Sequence, residues 1–199
     1  MKTQIRRGVF ETNSSSVHSI SIIKDNFKGS LPKKFVINCD GEFGLEWYTY
    51  DDSSSKAAYL YQAIKYYAEK NANVNDEKEI IQGLMDKFIG NLESYGIEVE
   101  CTYRFTKICH TDIEEWGDYN YDYVAFVDEN GNEPPVDGYL DHGSEAKEFV
   151  DYVLSSPENT VKFIFDYRCY IETGNDNEDS CVDNESCNYG EAIMFEKGN

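Results

Sequence analysis

The stretch ETNSSSVHS, residues 11–19, brings together a carboxylate, an imidazole and a run of hydroxyls. Glu11 and His18 have the groups of a general base and acid, because imidazole changes protonation near neutral pH. Just ahead, Arg6 and Arg7 supply guanidinium forks suited to a phosphate or carboxylate. Ser14, Ser15 and Ser16 add hydroxyls and backbone N–H groups in a small-residue loop that suits an anion. A purely structural reading competes on equal terms. In it Thr12, Asn13 and the serines bond their own backbone in a tight turn, and His18 is a satisfied core histidine.

A second cluster is YLDHGSE, Tyr139 to Glu145. Asp141 can orient the ring of His142, and Ser144 stands where a helix N-cap is expected, so free N–H groups there favour an anion. If the fold joins the two clusters, Glu11, His18, Asp141 and His142 form the catalytic set of a metal-independent, RNase-like phosphodiester cleavage. Arg6, Arg7, Ser14, Ser15, Ser16 and Ser144 would then hold the phosphate.

Other polar groupings carry less. His110, with Cys109, Asp112 and Glu114 in ICHTDIEE, finds no second cluster to complete a metal site and reads as a strand-end loop. DENGNEPPVDGY has Glu133 where a calcium loop needs glycine and Tyr139 where it needs glutamate, so a hairpin turn explains it better. Neither glycine-rich nucleotide signature occurs. No metal and no cofactor are expected.

The elements that must position these groups are legible in the periodicity. Val17 to Ile23 reads as a strand with His18, Ile20 and Ile22 on its core side. Phe35 to Ile37 reads as another. Asp51 to Ser55 breaks the chain and starts a helix carrying Ala57, Leu60, Tyr61, Ile64, Tyr67 and Ala68 at helical spacing. A second helix opens at Asn75-Asp76, with Ile80, Ile81, Leu84, Phe88 and Leu92 in one stripe, and stops near Gly96. Ile97 to Phe105 alternates cleanly, and Tyr121 to Val127 reads as a strand. Ser144 to Leu154 is a third helix. Val161 to Ile171 alternates again, residues 172–188 form an acidic loop, and Tyr189 to Phe195 returns as a last strand. This pattern predicts one α+β domain over residues 1–199, with a mostly antiparallel sheet of about five to six strands and three main helices.

Composition narrows the functional classes. The 199 residues carry a net charge of −20. Residues 1–34 hold seven basic against two acidic side chains, a net of +5, which leaves −25 on the remainder. Such a body repels nucleic acid and attracts basic surfaces, and it reads equally as the solvated acidic faces of a highly soluble protein. The first apolar run is too short and too broken by serines for a signal peptide, and no apolar stretch reaches the roughly 18 residues of a membrane span. The six cysteines include no C-x-x-C pair and read as reduced thiols, a Cys181–Cys187 disulfide being the less favoured reading.

RRGVFETNSSSVHS resembles an N-terminal signature shared by small proteins of Gram-positive phages and mobile elements. In that group a D-H-x-S segment is often found downstream, and Asp141-His142-Gly143-Ser144 matches it. Some proteins of this genomic setting are anti-CRISPR inhibitors of type II effector nucleases, and certain of those are linked to loss or truncation of the guide RNA. The resemblance implies a cytoplasmic protein of a bacterial host cell. Its implied partner is a host nucleic-acid-binding effector, a CRISPR nuclease with its guide RNA, and no membrane is involved.

Overall fold

The computed structural model describes residues 16–39, 41–44, 47–71, 77–101, 107–112, 122–127, 139–140, 146–175 and 190–197. Four strands come first: β1 (Ser16–Ile23), β2 (Lys34–Ile37), β3 (Glu42–Phe43) and β4 (Tyr48–Tyr50). Helices α1 (Ser53–Asn71) and α2 (Glu77–Glu93) precede β5 (Glu98–Cys101), β6 (Lys107–Asp112), β7 (Asp122–Val127) and β8 (Tyr139–Leu140). Helices α3 (Ala146–Leu154) and α4 (Pro157–Phe165) lead to β9 (Tyr170–Asn175) and β10 (Ala192–Lys197).

The main sheet is antiparallel, in the order β10-β1-β9-β4. Parallel pairs β2-β5 and β3-β8 and the antiparallel pair β6-β7 accompany it. The α+β class and the mostly antiparallel sheet are therefore as the periodicity predicts. β1 lies between β10 and β9, and side chains on both of its faces are buried. Ser19 and Ser21 are buried along with His18, Ile20 and Ile22, and the Ser21 hydroxyl donates to the Met194 sulfur at 3.0 Å.

Asp52 starts α1 by accepting from the Ser55 backbone N–H at 2.9 Å. Burial pushes the Asp52 carboxyl up, but the Ser55 and Ser54 donors and the nearby Lys56 charge outweigh it and hold the group below its ordinary range. The helix is more than the one-sided stripe its sequence implies, since every residue from Lys56 to Ile64 is buried. A helix buried all round sits inside the domain, and α1 packs on α2, α3, α4, β2 and β8. On α2, Ile81, Met85, Phe88 and Leu92 make the buried stripe, with Ile80 and Leu84 half-buried beside it. Asn91 donates to Thr160 Oγ1 at 2.8 Å and so joins α2 to α4. Gly96 ends this region with φ +76°, the left-handed conformation expected there.

Three readings differ from expectation. The alternation from Val161 to Ile171 is a helix as far as Phe165, and strand begins only at Tyr170. Ser156 is the N-cap of α4, accepting from the Asn159 N–H at 3.2 Å, and Pro157 fits the first turn. The buried set Thr160, Val161, Phe163 and Ile164 has helical spacing, and the 161, 163, 165 alternation merely overlaps it. The expected acidic loop at 172–188 also starts late, because Glu172 to Asn175 belong to β9. Cys109 and His110 lie within β6, opposite Ala125 and Val124, instead of in a strand-end loop. The turn at 128–133 and the Cys181–Cys187 question fall outside the described residues. Among the described residues no helix is long and apolar enough to cross a membrane.

Candidate functional site

His18 is where the sequence places it, on the helix-facing side of β1, and only 2% exposed. Register aligns Tyr48, Thr173, His18 and Lys197 in one row across the four strands. A hydrogen bond of 3.0 Å joins His18 Nδ1 to the Tyr59 hydroxyl on α1. Tyr59 is fixed by aromatic packing, edge-on to Phe43 at 4.9 Å and to Phe149 at 5.8 Å between centroids. Phe149 continues the cluster to Phe163 and Phe195. Such edge-to-face pairs set ring orientation as well as burying area, so the phenol has one direction to face. Burial pushes the Tyr59 phenol above its ordinary range, which leaves an O–H, not a phenolate, against the imidazole.

The other face of the same sheet carries a polar row in the register Thr49, Glu172, Ser19 and Glu196. The Ser19 hydroxyl is buried without a hydrogen-bond partner among the described residues. Glu172, opposite it, is half-buried, and burial raises its carboxyl. Trp47 lies against Gly174 so closely that a Cβ there would meet the indole at 2.7 Å. On the far side of the Phe43 ring an open hollow of about 210 Å³ is lined by Gly41, Glu42, Phe43, Tyr50, Ser54, Ser55 and Ala58.

A third polar group lies one helical turn from Tyr59. Lys56 is fully buried, and its ammonium donates to the carbonyls of Asp166 and Cys169 at 2.8 and 2.9 Å. Burial pushes its pKa down to about 8 against the pull of nearby acidic groups. Burial likewise raises the neighbouring Cys169 thiol to about 11. Asp166 receives Arg168 through both carboxylate oxygens, at 2.9 and 2.8 Å. These bonds outweigh burial and hold the Asp166 carboxyl low.

Of the predicted site residues, His18 alone has described side-chain surroundings. Ser16 is the first residue of β1, in register with Asn175. Arg6, Arg7, Glu11, Ser14, Ser15, Asp141, His142 and Ser144 lie outside the described residues, and with them the distance between His18 and His142. Tyr59 was not among the predicted residues. The helical stripe read from KAAYLYQAIKYY omits it, and only the fold brings it to a histidine 41 positions away. Among the described residues no group of three or more His, Cys, Asp or Glu side chains is placed to hold a metal ion. No protein-family model, no curated protein and no solved structure matches this chain, so its site is defined by its own residues.

Proposed function

We propose that this protein is a mobile-element-encoded anti-defence protein, anti-CRISPR-like, that acts in the bacterial cytoplasm. It binds and inhibits a host nucleic-acid-binding effector nuclease. One observation carries the reading. The net charge is −20, and among the described side chains every Asp and Glu except Asp166 and Glu172 is exposed. Where these side chains are described, their charge lies at the surface, open to a basic partner, instead of being consumed inside the fold. A groove built to bind nucleic acid is lined with Lys and Arg, and an acidic surface competes for it. The N-terminal motif and the D-H-x-S segment add the resemblance to phage and mobile-element proteins.

Competition of this kind depends on ionic strength, because exposed charges are screened over about 8–10 Å at physiological salt. Binding to a purified type II effector with its guide RNA is expected to weaken steeply between low and high salt. Affinity that stays constant across that range overturns the electrostatic mechanism.

A second reading draws on the His18–Tyr59 bond. The bond holds in one orientation a ring suited to acid–base chemistry on a phosphodiester, with Glu11, Asp141 and His142 as the other groups, and at 2% exposure that ring needs local opening to meet a substrate. His18→Ala and His142→Ala separate the two readings when each variant is first checked by thermal melt. Inhibition that survives both substitutions with the guide RNA intact leaves binding alone. Loss of inhibition together with protection of the RNA supports the enzyme.

A further inference from the structure

Two cysteines meet where a pair of parallel strands ends. Ile37 of β2 is in register with Cys101, the last residue of β5, and Cys39 follows two positions after Ile37. The two sulfurs stand 3.8 Å apart. Cys39 is buried and Cys101 half-buried, so Cys101 is the more exposed of the two. The Cys39 carbonyl accepts from Gln62 Nε2 at 3.1 Å, which anchors the inner cysteine to α1. Cys169 provides an internal contrast, as a core thiol that burial pushes up to about 11.

We propose that Cys39 and Cys101 are a redox modification site, converted by a peroxide into a disulfide that clips the ends of β2 and β5 together. The Cys101 thiolate attacks a peroxide oxygen and breaks the O–O bond, giving Cys101 sulfenic acid and an alkoxide, or hydroxide when the oxidant is hydrogen peroxide, which takes up the proton Cys101 gave away and leaves as the alcohol or water. The Cys39 thiolate then attacks the Cys101 sulfur and expels hydroxide, which takes up the proton Cys39 gave away and leaves as water. The two thiols lose two electrons and the peroxide gains them. A disulfide bond is about 2.05 Å long, so the sulfurs must approach by less than 2 Å, a distance that side-chain rotation at a strand end supplies. The cysteines are 62 positions apart with α1 and α2 between them. Closing that loop removes freedom from the unfolded chain and stabilises the fold. In a reducing compartment such a bond is reversible, and so reports oxidant.

The test is hydrogen peroxide on the full-length protein, followed by alkylation of the remaining thiols and peptide mapping. A Cys39–Cys101 cross-link is expected, with Cys169 still alkylated after denaturation. The melting temperature should rise by on the order of 10 °C and fall back with dithiothreitol. Cys101→Ser should abolish both the cross-link and the rise. The proposal is overturned if both thiols remain alkylatable, if Cys101 proceeds to sulfinic acid with Cys39 untouched, or if either cysteine bridges a different thiol. A rise in melting temperature that persists in Cys101→Ser overturns it as well. The wild-type peptide map decides the question even where that variant folds poorly.

Discussion

Lys56 and Tyr59 leave α1 one turn apart and enter the same core, yet they meet opposite kinds of partner. Lys56 spends its donors on two main-chain carbonyls of the 166–169 turn. Those acceptors cannot titrate, so the lysine is a clamp between α1 and the start of β9. Tyr59 meets the ring of His18, a group that can exchange protons. Burial drives both side chains toward neutrality by opposite proton movements, loss from the lysine and retention by the phenol. One buried polar group is therefore architecture, and its neighbour brings a phenol O–H into contact with an imidazole.

The largest expected effect comes from breaking the clamp. Lys56→Met keeps the length of the side chain but leaves two buried carbonyls without their donor. Relief of the ammonium's desolvation offsets part of that loss. A net cost of roughly 2–4 kcal/mol is expected, because orphaned buried polar groups cost about 1–3 kcal/mol each. For a chain of this size that lowers the melting temperature by about 4–16 °C. A variant as stable as wild type at pH 7 would mean that the turn holds itself and that the contrast with Tyr59 is false.

The same lysine predicts a pH dependence. Its folded pKa is about 8 against an ordinary value of 10.5, with burial as the main cause. Below pH 8 both folded and unfolded chains carry the proton, and the fold bears the full cost of burying the charge. Between about 8 and 10.5 the folded state releases the proton while the unfolded chain keeps it, so stability rises with pH. Cys169 opposes this, since its thiol is held protonated to about 11 in the fold but ionises near 9 when unfolded. Wild type alone reports the sum. The stability difference between wild type and Lys56→Met reports the lysine together with its coupling to the nearby Cys169 thiol, and should widen by up to about 3 kcal/mol across that window. Urea melts at pH 7.5 and 10 measure it, and a constant difference would place the folded pKa of Lys56 near its ordinary value.

These roles were unevenly legible in the sequence. Alternation placed β1, and helical spacing with an Asp-Ser start placed α1, because both signals are local. His18 was correctly set on the core side of its strand by the same alternation. Its partner was not, since tyrosine at an apolar helical position gives no sign of what its hydroxyl will meet. Lys56 was missed for a related reason. A lysine just after a helix start reads as solvated, and only the turn that α4 and β9 create supplies its two carbonyls. The α4 segment shows the opposite failure, where a real local signal, Ser156-Pro157, goes unread beside an alternation that helix and strand share. The parallel pairing of β2 with β5 depends on a crossover through two helices and leaves no local mark at all.

The smallest expected effect tests the His18–Tyr59 side of the contrast. Tyr59→Phe removes the hydroxyl and keeps the ring against Phe43 and Phe149, so packing is retained and one hydrogen bond is lost. The cost should be about 0.5–1.5 kcal/mol, a shift of only a few degrees. His18→Ala removes more, because it also deletes buried ring area in the central strand. Combining the two in a double-mutant cycle separates the bond from the packing, and a coupling of about 1 kcal/mol is expected for side chains in direct contact. Coupling near zero would show that the phenol and the imidazole are buried side by side without sharing a proton. In that case His18 is a core residue on a par with Ile20 and Ile22, and proton chemistry would have to be sought elsewhere in the chain.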